Sequence, residues 1–298
     1  MGAARLSKSS ASAQWEPGYR VSWRYADERF AVADWRCSGS AAAVPAADEF
    51  TRHFEINLHR RGWHVRSVAR QRYFIDPLHH SFWPADSGFR LSNNTEQPQA
   101  ATLIFATHAL VEELLATVDG AGTATLSRLR TAPAHWRSGE LIAAHARLLA
   151  TDPEDRLAVE EHSLALMRRV VAEAAGASDA GSRSLVGRRA QAIDRARSYI
   201  LSRYREQLSL ATIAAASRIA PSTLCESFPL VVGMPVWRYV QRLRLQEAAL
   251  TLGEGVEDLS ALALDLGFSS HSHFAQAFRA HYGMAPSRFR SNVSQASA

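Results

Sequence analysis

The stretch GFSSHSHFAQAFRAHYGMAP, residues 267–286, is the most informative about the fold of the C-terminal part of this chain. It opens with a glycine and small polar residues, continues with Phe274 and Phe278, and closes on Gly-Met-x-Pro. Two aromatic side chains four positions apart lie on the same face of a helix. The stretch therefore predicts a tight turn followed by a short helix, which is anchored by its aromatic residues and presents polar and basic residues on the other side.

An internal repeat extends this pattern. Residues 210–235 and 259–286 each contain an apolar helical segment, a turn and a second helical segment. Phe228, Gly233, Met234 and Tyr239 recur 50 residues later as Phe, Gly, Met and Phe, whereas before the turn the offset is 49 residues. Two helices around such a turn form the helix-turn-helix pattern, in which the second helix enters the major groove of DNA. The repeat predicts two such units.

The second copy carries the local signals that this motif needs. Asp258 can cap its first helix, and Gly267 can adopt the left-handed backbone conformation of the turn. Ser269 or Ser270 can cap the second helix, whose two phenylalanines face the core. Five polar residues are left to face outward: His271, Ser272, His273, Gln276 and Arg279.

The segment between the copies predicts a connecting helix at residues 235–252. It has no internal glycine or proline and carries an apolar stripe of Val236, Val240, Leu243 and Leu250. At 1.5 Å per residue the helix would span about 25 Å. A rigid helix of this length could hold two recognition helices near the ~34 Å spacing of successive major grooves.

The N-terminal half has a different pattern. FEINL and WHVRSV alternate apolar and polar residues, and SFWPA, FRLSN and ATLIFA are further strand candidates. Several short strands without intervening helices predict a β-sandwich or barrel. Helical patterns follow at 139–173, and residues 174–190, rich in Ala, Gly, Ser and Arg, predict a linker.

Composition and charge are informative once the chain is divided. Of the 298 residues 47% are hydrophobic, and no run of about 18 apolar residues or signal-peptide core is found. From Arg183 to the end there are 14 arginines and 8 acidic residues, a net charge of +6, and the remainder has a net charge of −1. The basic excess predicts an anionic partner for the C-terminal part, and we expect a cytoplasmic protein that is nucleoid-associated when bound to DNA.

Residues 193–290 resemble the DNA-binding domain of the AraC/XylS family of bacterial transcription regulators. The family signature, A-x-x-x-G-F-x-s-x-S-x-F-x-x-x-F-r-x-x-x-G-x-x-P, is matched at Ala263, Gly267, Phe268, Ser272, Phe274, Phe278, Gly283 and Pro286. RQRYFIDPLHHSFWPADSGFRLSNN (70–94) also resembles part of the family's regulatory domain, a small cupin-like β-barrel with trailing helices that usually dimerise. In relatives that domain senses small molecules or mediates contacts.

The resemblance implies an α+β protein of two domains, an N-terminal cupin-like β-barrel with trailing helices and a C-terminal all-α double helix-turn-helix. We expect a disordered tail at 1–14, a regulatory or dimerisation domain at 15–173, the linker at 174–190 and the DNA-binding domain at 191–292. The implied partners are double-stranded DNA, a second copy of the chain, a small-molecule effector and RNA polymerase.

The first helix-turn-helix departs from the family pattern. Arg218 stands in the turn where the family has glycine, and Glu226 and Pro229 occupy two positions that are usually basic. A carboxylate facing phosphates lowers affinity, and a proline removes an amide donor, so we expect a shortened helix with few base contacts. The second unit should dominate sequence readout. For Cys225, a buried packing role is favoured over a redox switch because no basic residue lies near it in sequence.

The predicted DNA-binding side chains are His271, Ser272, His273, Gln276, Arg279, Ser222, Thr223 and Arg242. Glutamine suits adenine and arginine suits guanine or a phosphate, and the alternative is a solvated helix face. For Arg238, Arg242 and Arg244 on the connecting helix, phosphate contact and plain surface charge remain equally open.

Metal and catalytic sites are not predicted. His271 and His273 are two residues apart and point to different sides of a helix. The histidines of the strand region, His53, His59, His64, His79 and His80, contain no H-x-H pair of the cupin-enzyme type. No G-x-S-x-G, phosphate-binding loop or Cys-x-x-Cys occurs.

The sequence therefore predicts a sequence-specific transcription regulator that is not an enzyme and has no cofactor. Two alternatives stay open at this point. One is a cupin-type metalloenzyme with an ancillary helical tail. The other is a weak DNA-binder that acts mainly as a partner-docking module, which the unusual first unit suggests.

Overall fold

The structure is a computed structural model. It describes residues 19–38, 49–50, 53–68, 71–83, 88–93, 97–117, 134–135, 139–175 and 188–295. The chain divides into two compact units, one of residues 1–137 and 151–177 and one of residues 138–150 and 178–298. The predicted tail at 1–14 and most of the predicted linker at 174–190 lie outside the described residues. Residues 138–150, which the sequence-based boundaries placed in the N-terminal domain, are grouped with the second unit.

The first unit is built on two antiparallel sheets. Its strands are β1 (Tyr19–Ala26), β2 (Phe30–Cys37), β3 (Glu49–Phe50), β4 (Phe54–Arg61), β5 (His64–Val68), β6 (Gln71–Ile75), β7 (His79–Trp83), β8 (Gly88–Asn93), β9 (Gln99–Ala106) and β10 (Ala134–His135). One sheet has the order β1-β2-β9-β4-β7-β10 and the other β3-β8-β5-β6. The expected strands are confirmed, but the described strands form two open sheets rather than a closed barrel.

The polar side chains of strand β4 link the two sheets. Its side chains alternate between two sets, and in the polar set Glu55 is half-buried while Asn57 and His59 are buried. Glu55 pairs with Arg66 of β5 at 3.2 Å, and the Arg66 guanidinium lies over the rings of Trp83 and Phe89. The polar face of β4 is therefore turned toward the second sheet, where the buried charges neutralise each other.

The described residues of the first unit also include two helices. They are α1 (His108–Ala116) and α3 (Arg156–Ala175), and a third helix between them in sequence, α2 (Gly139–Ala150), belongs to the second unit. Thr107 caps α1 by accepting a hydrogen bond from the Leu110 amide. Threonine is a preferred residue at this position of a helix. The α1 helix, which the sequence analysis did not predict, packs against α3, and the helical patterns predicted at 139–173 correspond to α2 and α3.

The second unit is helical throughout its described residues. Besides α2 it contains α4 (Arg188–Arg203), α5 (Leu210–Ser217), α6 (Pro221–Val232), α7 (Val236–Gly253), α8 (Leu259–Asp265), α9 (His271–Tyr282) and α10 (Pro286–Gln295). The pairs α5/α6 and α8/α9 are the two helix-turn-helix units, and α7 connects them. The α+β fold with a helical C-terminal part is thus confirmed.

The repeat seen in the sequence is also a repeat of packing. Phe228 and Tyr239 meet edge to face with ring centroids 5.4 Å apart, and Phe278 and Phe289 do the same at 5.5 Å. All four rings are buried. Each recognition helix ends at a glycine with positive φ, 79° and 74°. The same contacts therefore fix each second helix against its unit.

The connecting helix α7 forms the centre of this unit. Its predicted apolar stripe is buried at Val236, Leu243 and Leu250. Near its C-terminal end Gly253 faces Ala146 of α2, where an added Cβ would come within 2.9 Å of the alanine Cβ. The small residues at this crossing let α2 and α7 approach each other closely.

Candidate nucleic-acid interface

The second recognition helix, α9, has one face in the core and one face in solvent. Ser270 caps it by accepting a hydrogen bond from the His273 amide at 3.1 Å, and Asp258 caps the preceding α8. Phe274 and Phe278 are fully buried. The predicted outward residues are all exposed: His271, Ser272, His273, Gln276 and Arg279. The helix is thus anchored on one side and displays polar groups on the other.

His273 is the most constrained of these side chains. Its Nδ1 atom lies 3.1 Å from the Ser269 hydroxyl, and its ring meets Phe268 edge to face at 5.6 Å. These two contacts hold the imidazole at the N-terminal end of α9. That end is the part of a recognition helix that reaches base edges in helix-turn-helix proteins.

The first recognition helix, α6, presents a different surface. Ser222, Cys225 and Glu226 are exposed, Thr223 is half-buried, and Leu230 is 63% exposed. The prediction that Cys225 is buried is wrong, because its side chain is exposed. This thiol lies on the outward side, while the neighbouring Leu224 and Phe228 take the core positions.

Pro229 does not shorten α6 as expected. The helix has 12 residues, as many as α9, and continues to Val232. A proline removes one amide donor, but the helical bonds resume beyond it, and the Gly233 amide donates to the Pro229 carbonyl at 2.8 Å. The first helix-turn-helix therefore keeps the shape of this motif, while its exposed side chains differ from those of the second.

Arg242 lies near the C-terminal part of α9. It is half-buried, and burial together with the charge of Arg238 lowers its pKa. Its charge in turn acts on His281, whose pKa is lowered to about 4 by burial and by Arg242. The predicted DNA-binding residue Arg242 is thus close to the second recognition helix from the side of α7.

Arg244 is engaged inside the protein. Its guanidinium donates to the carbonyl oxygens of Tyr204 at 2.7 Å, Gly267 at 2.7 Å and Glu206 at 2.8 Å. These three bonds join α7, the segment after α4 and the turn of the second helix-turn-helix. Of the two open interpretations of this arginine, neither described its structural role, because its partners are distant in sequence.

The turn of the first helix-turn-helix is held by a similar contact. Arg195 of α4 donates to the Ser217 carbonyl from both Nε and Nη2, at 3.2 and 2.9 Å. An arginine from another helix thus binds the backbone of each turn. The sequence did not reveal this role for Arg195, since an arginine on an exposed helical pattern gives no signal of a bound carbonyl.

The described residues contain no group of three or more His, Cys, Asp or Glu side chains placed to hold a metal ion. Among them, too, no helix is both long and apolar enough to span a membrane.

The fold and the exposed polar helix define a double helix-turn-helix domain. Residues 213–292 match the model of a helix-turn-helix domain family. The probable transcription factor PqrA of Proteus vulgaris is 34% identical over 87 residues, which are 29% of this chain and 71% of that protein. The putative AraC-like transcription regulator of Streptomyces antibioticus is 34% identical over 82 residues, 28% of this chain and 27% of that protein. The chain belongs to the AraC/XylS family of transcriptional regulators.

The matched region is a limited part of longer relatives. The probable transcriptional regulator LumQ of Photobacterium leiognathi is 36% identical over 92 residues, 31% of this chain and 37% of that protein. The chain spans about a third of the length of the first relatives that it matches. Among solved structures, a single-residue variant of apo ToxT from Vibrio cholerae is 13% identical with a TM-score of 0.38, covering 88% of this chain and 97% of that chain.

Proposed function

We propose that this chain regulates transcription by binding double-stranded DNA through its two helix-turn-helix units. The observation that carries the proposal is the division of α9 into a buried phenylalanine face and an exposed polar face. Gln276 can bond the adenine edge, and Arg279 can bond guanine or a phosphate. The capped ends and aromatic anchors hold this face in one position, which base recognition requires.

The second unit dominates base readout in this proposal. The exposed residues of α6 include Cys225, Glu226 and Leu230, none of which is a strong partner for DNA. A carboxylate near phosphates lowers affinity. The connecting helix α7 has 18 residues and spans about 27 Å, which supports the placement of the two recognition helices in successive grooves.

The first test is selection of the purified full chain against a random duplex library at a stated, moderate salt concentration. Two conserved blocks with centres about 10 base pairs apart are expected if both units bind, and a single block if only α9 reads bases. The absence of any enriched sequence, with and without candidate effectors, would refute the proposed function.

Variants of α9 connect the selected sequence to residues. Gln276→Ala should relax the preference at one base pair, at a cost of about 1–3 kcal/mol for that base. Arg288→Ala is the matched control, because this arginine is exposed on α10, outside the recognition helix. If Gln276→Ala keeps every wild-type preference, the placement of α9 in the groove is wrong.

The N-terminal unit acts, in the same proposal, as a cupin-like domain for effector sensing or dimerisation. Asn57 of β4 is buried, and its Oδ1 atom has no hydrogen-bond partner among the described residues, so a small ligand with a donor group could bind there. On α3, Leu157 is 76% exposed, which supports a contact with a second copy. Such a regulator would act in the cytoplasm, where promoter binding brings it to RNA polymerase.

Dimerisation and sensing have separate tests. Leu157→Glu should shift the mass measured by sedimentation from dimer to monomer, with Glu161→Ala, a change at another exposed position of α3, as the control. An unchanged mass would place the dimer contact elsewhere. For sensing, DNA affinity measured with a panel of small polar metabolites should change with one of them in the wild type, but not in Asn57→Leu.

A further inference from the structure

The turn of the first helix-turn-helix contains a strained residue. Arg218 has φ 59° and ψ 42°, and it is the only described residue other than glycine with a positive φ. The equivalent residue of the second unit, 49 positions on, is Gly267 with φ 79°. A side chain in this left-handed conformation raises the energy of the folded state relative to glycine. The first unit thus has an arginine where glycine would be more stable.

Among the described residues, no hydrogen bond, ion pair or ring contact of the Arg218 side chain offsets this strain. Arg218 is exposed and has neither a hydrogen bond nor an ion pair with another described side chain. The turn itself is held by Arg195, which binds the Ser217 carbonyl. Strain that no hydrogen bond or ion pair among the described residues offsets points to a role toward a ligand.

Arg218 supplies the positive charge of the first helix-turn-helix. In the sequence between Glu206 and Arg238, Arg218 is the only Lys, Arg or His, and Glu226 adds a negative charge. Arg218 also lies two residues before Ala220, the N-cap of α6. In helix-turn-helix proteins this end of the recognition helix enters the groove, so the phosphates that border the groove come near the turn.

We propose that Arg218 binds a phosphate of the DNA backbone and supplies the positive charge that α6 lacks. This inference rests on the proposed DNA-binding function. It assigns to the first unit a contact that contributes affinity and position but no sequence preference, because phosphates are the same at every base pair. In this proposal the basic contact lies in the turn and not on the recognition helix.

The test uses the full chain, the duplex selected with the wild type, and the variants Arg218→Gly and Arg218→Lys. Arg218→Gly removes the charge and the strain together, so its melting temperature should rise by about 2–4 °C. Its DNA affinity at low salt should nevertheless fall about tenfold, and the slope of log K against log salt should decrease by about one. Arg218→Lys keeps the charge and should retain most of the affinity.

Greater stability combined with weaker binding cannot come from misfolding. The proposal is overturned if Arg218→Gly binds with the wild-type affinity and salt slope, or if it binds more weakly and also melts at a lower temperature. Arg279→Ala is measured beside it. Loss of affinity in Arg279→Ala alone would leave the DNA-binding function standing while removing Arg218 from the interface, whereas a wild type that binds no DNA would refute both.

Discussion

The turn of the second unit can be tested by adding a single methyl group. Gly267 and Gly283 both have positive φ, 79° and 74°, so alanine costs about 1 kcal/mol in backbone strain at either position. Their surroundings differ. At Gly267 an added Cβ would press against the Arg205 carbonyl oxygen and lie 2.9 Å from Nη2 of Arg244, whereas at Gly283 no described atom is within 4 Å.

The crowded site should therefore be far more sensitive. Overpacking adds about 1–3 kcal/mol, and displacement of the turn weakens the 2.7 Å bond from Arg244 to the Gly267 carbonyl, a charged bond worth about 1.5–3 kcal/mol when intact. We expect Gly267→Ala to lower the free energy of unfolding by about 3–5 kcal/mol and Gly283→Ala by about 1 kcal/mol.

The assay is urea unfolding of the full chain followed by far-UV circular dichroism, which reports mainly on the helical unit. Gly283→Ala serves as the matched control, because it carries the same backbone strain without the crowding. Equal losses for the two variants would refute the close approach of the Gly267 backbone to Arg205 and Arg244.

Three further predictions concern the core, the arginine at the centre of the second unit, and pH. Phe274→Ala should lower the free energy of unfolding by about 3–5 kcal/mol through the cavity that it leaves, and a variant that lost DNA binding while unfolding like the wild type would contradict the core role of this ring. Arg244→Met should lower the free energy of unfolding by about 3 kcal/mol, since three carbonyl oxygens lose a charged donor, while the exposed Arg238→Met should stay within about 0.5 kcal/mol of the wild type in the same urea titration. Burial lowers the pKa of His59 from 6.5 to about 4, so its neutral form is favoured in the folded state. His59 has no effect above pH 6.5 and lowers stability as the pH falls toward 4, by up to about 3 kcal/mol, because the unfolded state takes up the proton first. His59→Gln should therefore lose less stability than the wild type between these pH values, and equal losses would show that His59 is not buried in its neutral form.

Local patterns account for what could be predicted. The strands β4 and β5 were found where apolar and polar residues alternate, and the second helix-turn-helix was found from Asp258, Gly267 and Ser270. Caps and left-handed glycines act within a few residues of their position, so their effects can be read without the rest of the fold. The exposed face of α9 follows from the same spacing.

The features that could not be predicted depend on partners that are distant in the sequence. Arg244 binds the Tyr204 and Glu206 carbonyls, 40 and 38 residues away, and no local pattern marks such an acceptor. Cys225 was placed inside because a cysteine without basic neighbours is commonly buried, but the phenylalanine and leucine beside it occupy the core instead. The order of the described strands in the two sheets depends equally on pairing between distant segments.

A β-rich N-terminal part and two helix-turn-helix units could be recognised without the fold, because periodicity, caps and the 50-residue repeat are local or recur in register. Only the folded chain shows that α2 groups with the helical residues 178–298, where its Ala146 lies close to Gly253 of α7. It alone also showed that Arg244 is engaged with backbone carbonyls while Arg218 has no partner among the described residues. The physical reason is that a charged side chain is defined by the groups that surround it, and folding brings those groups from distant parts of the chain.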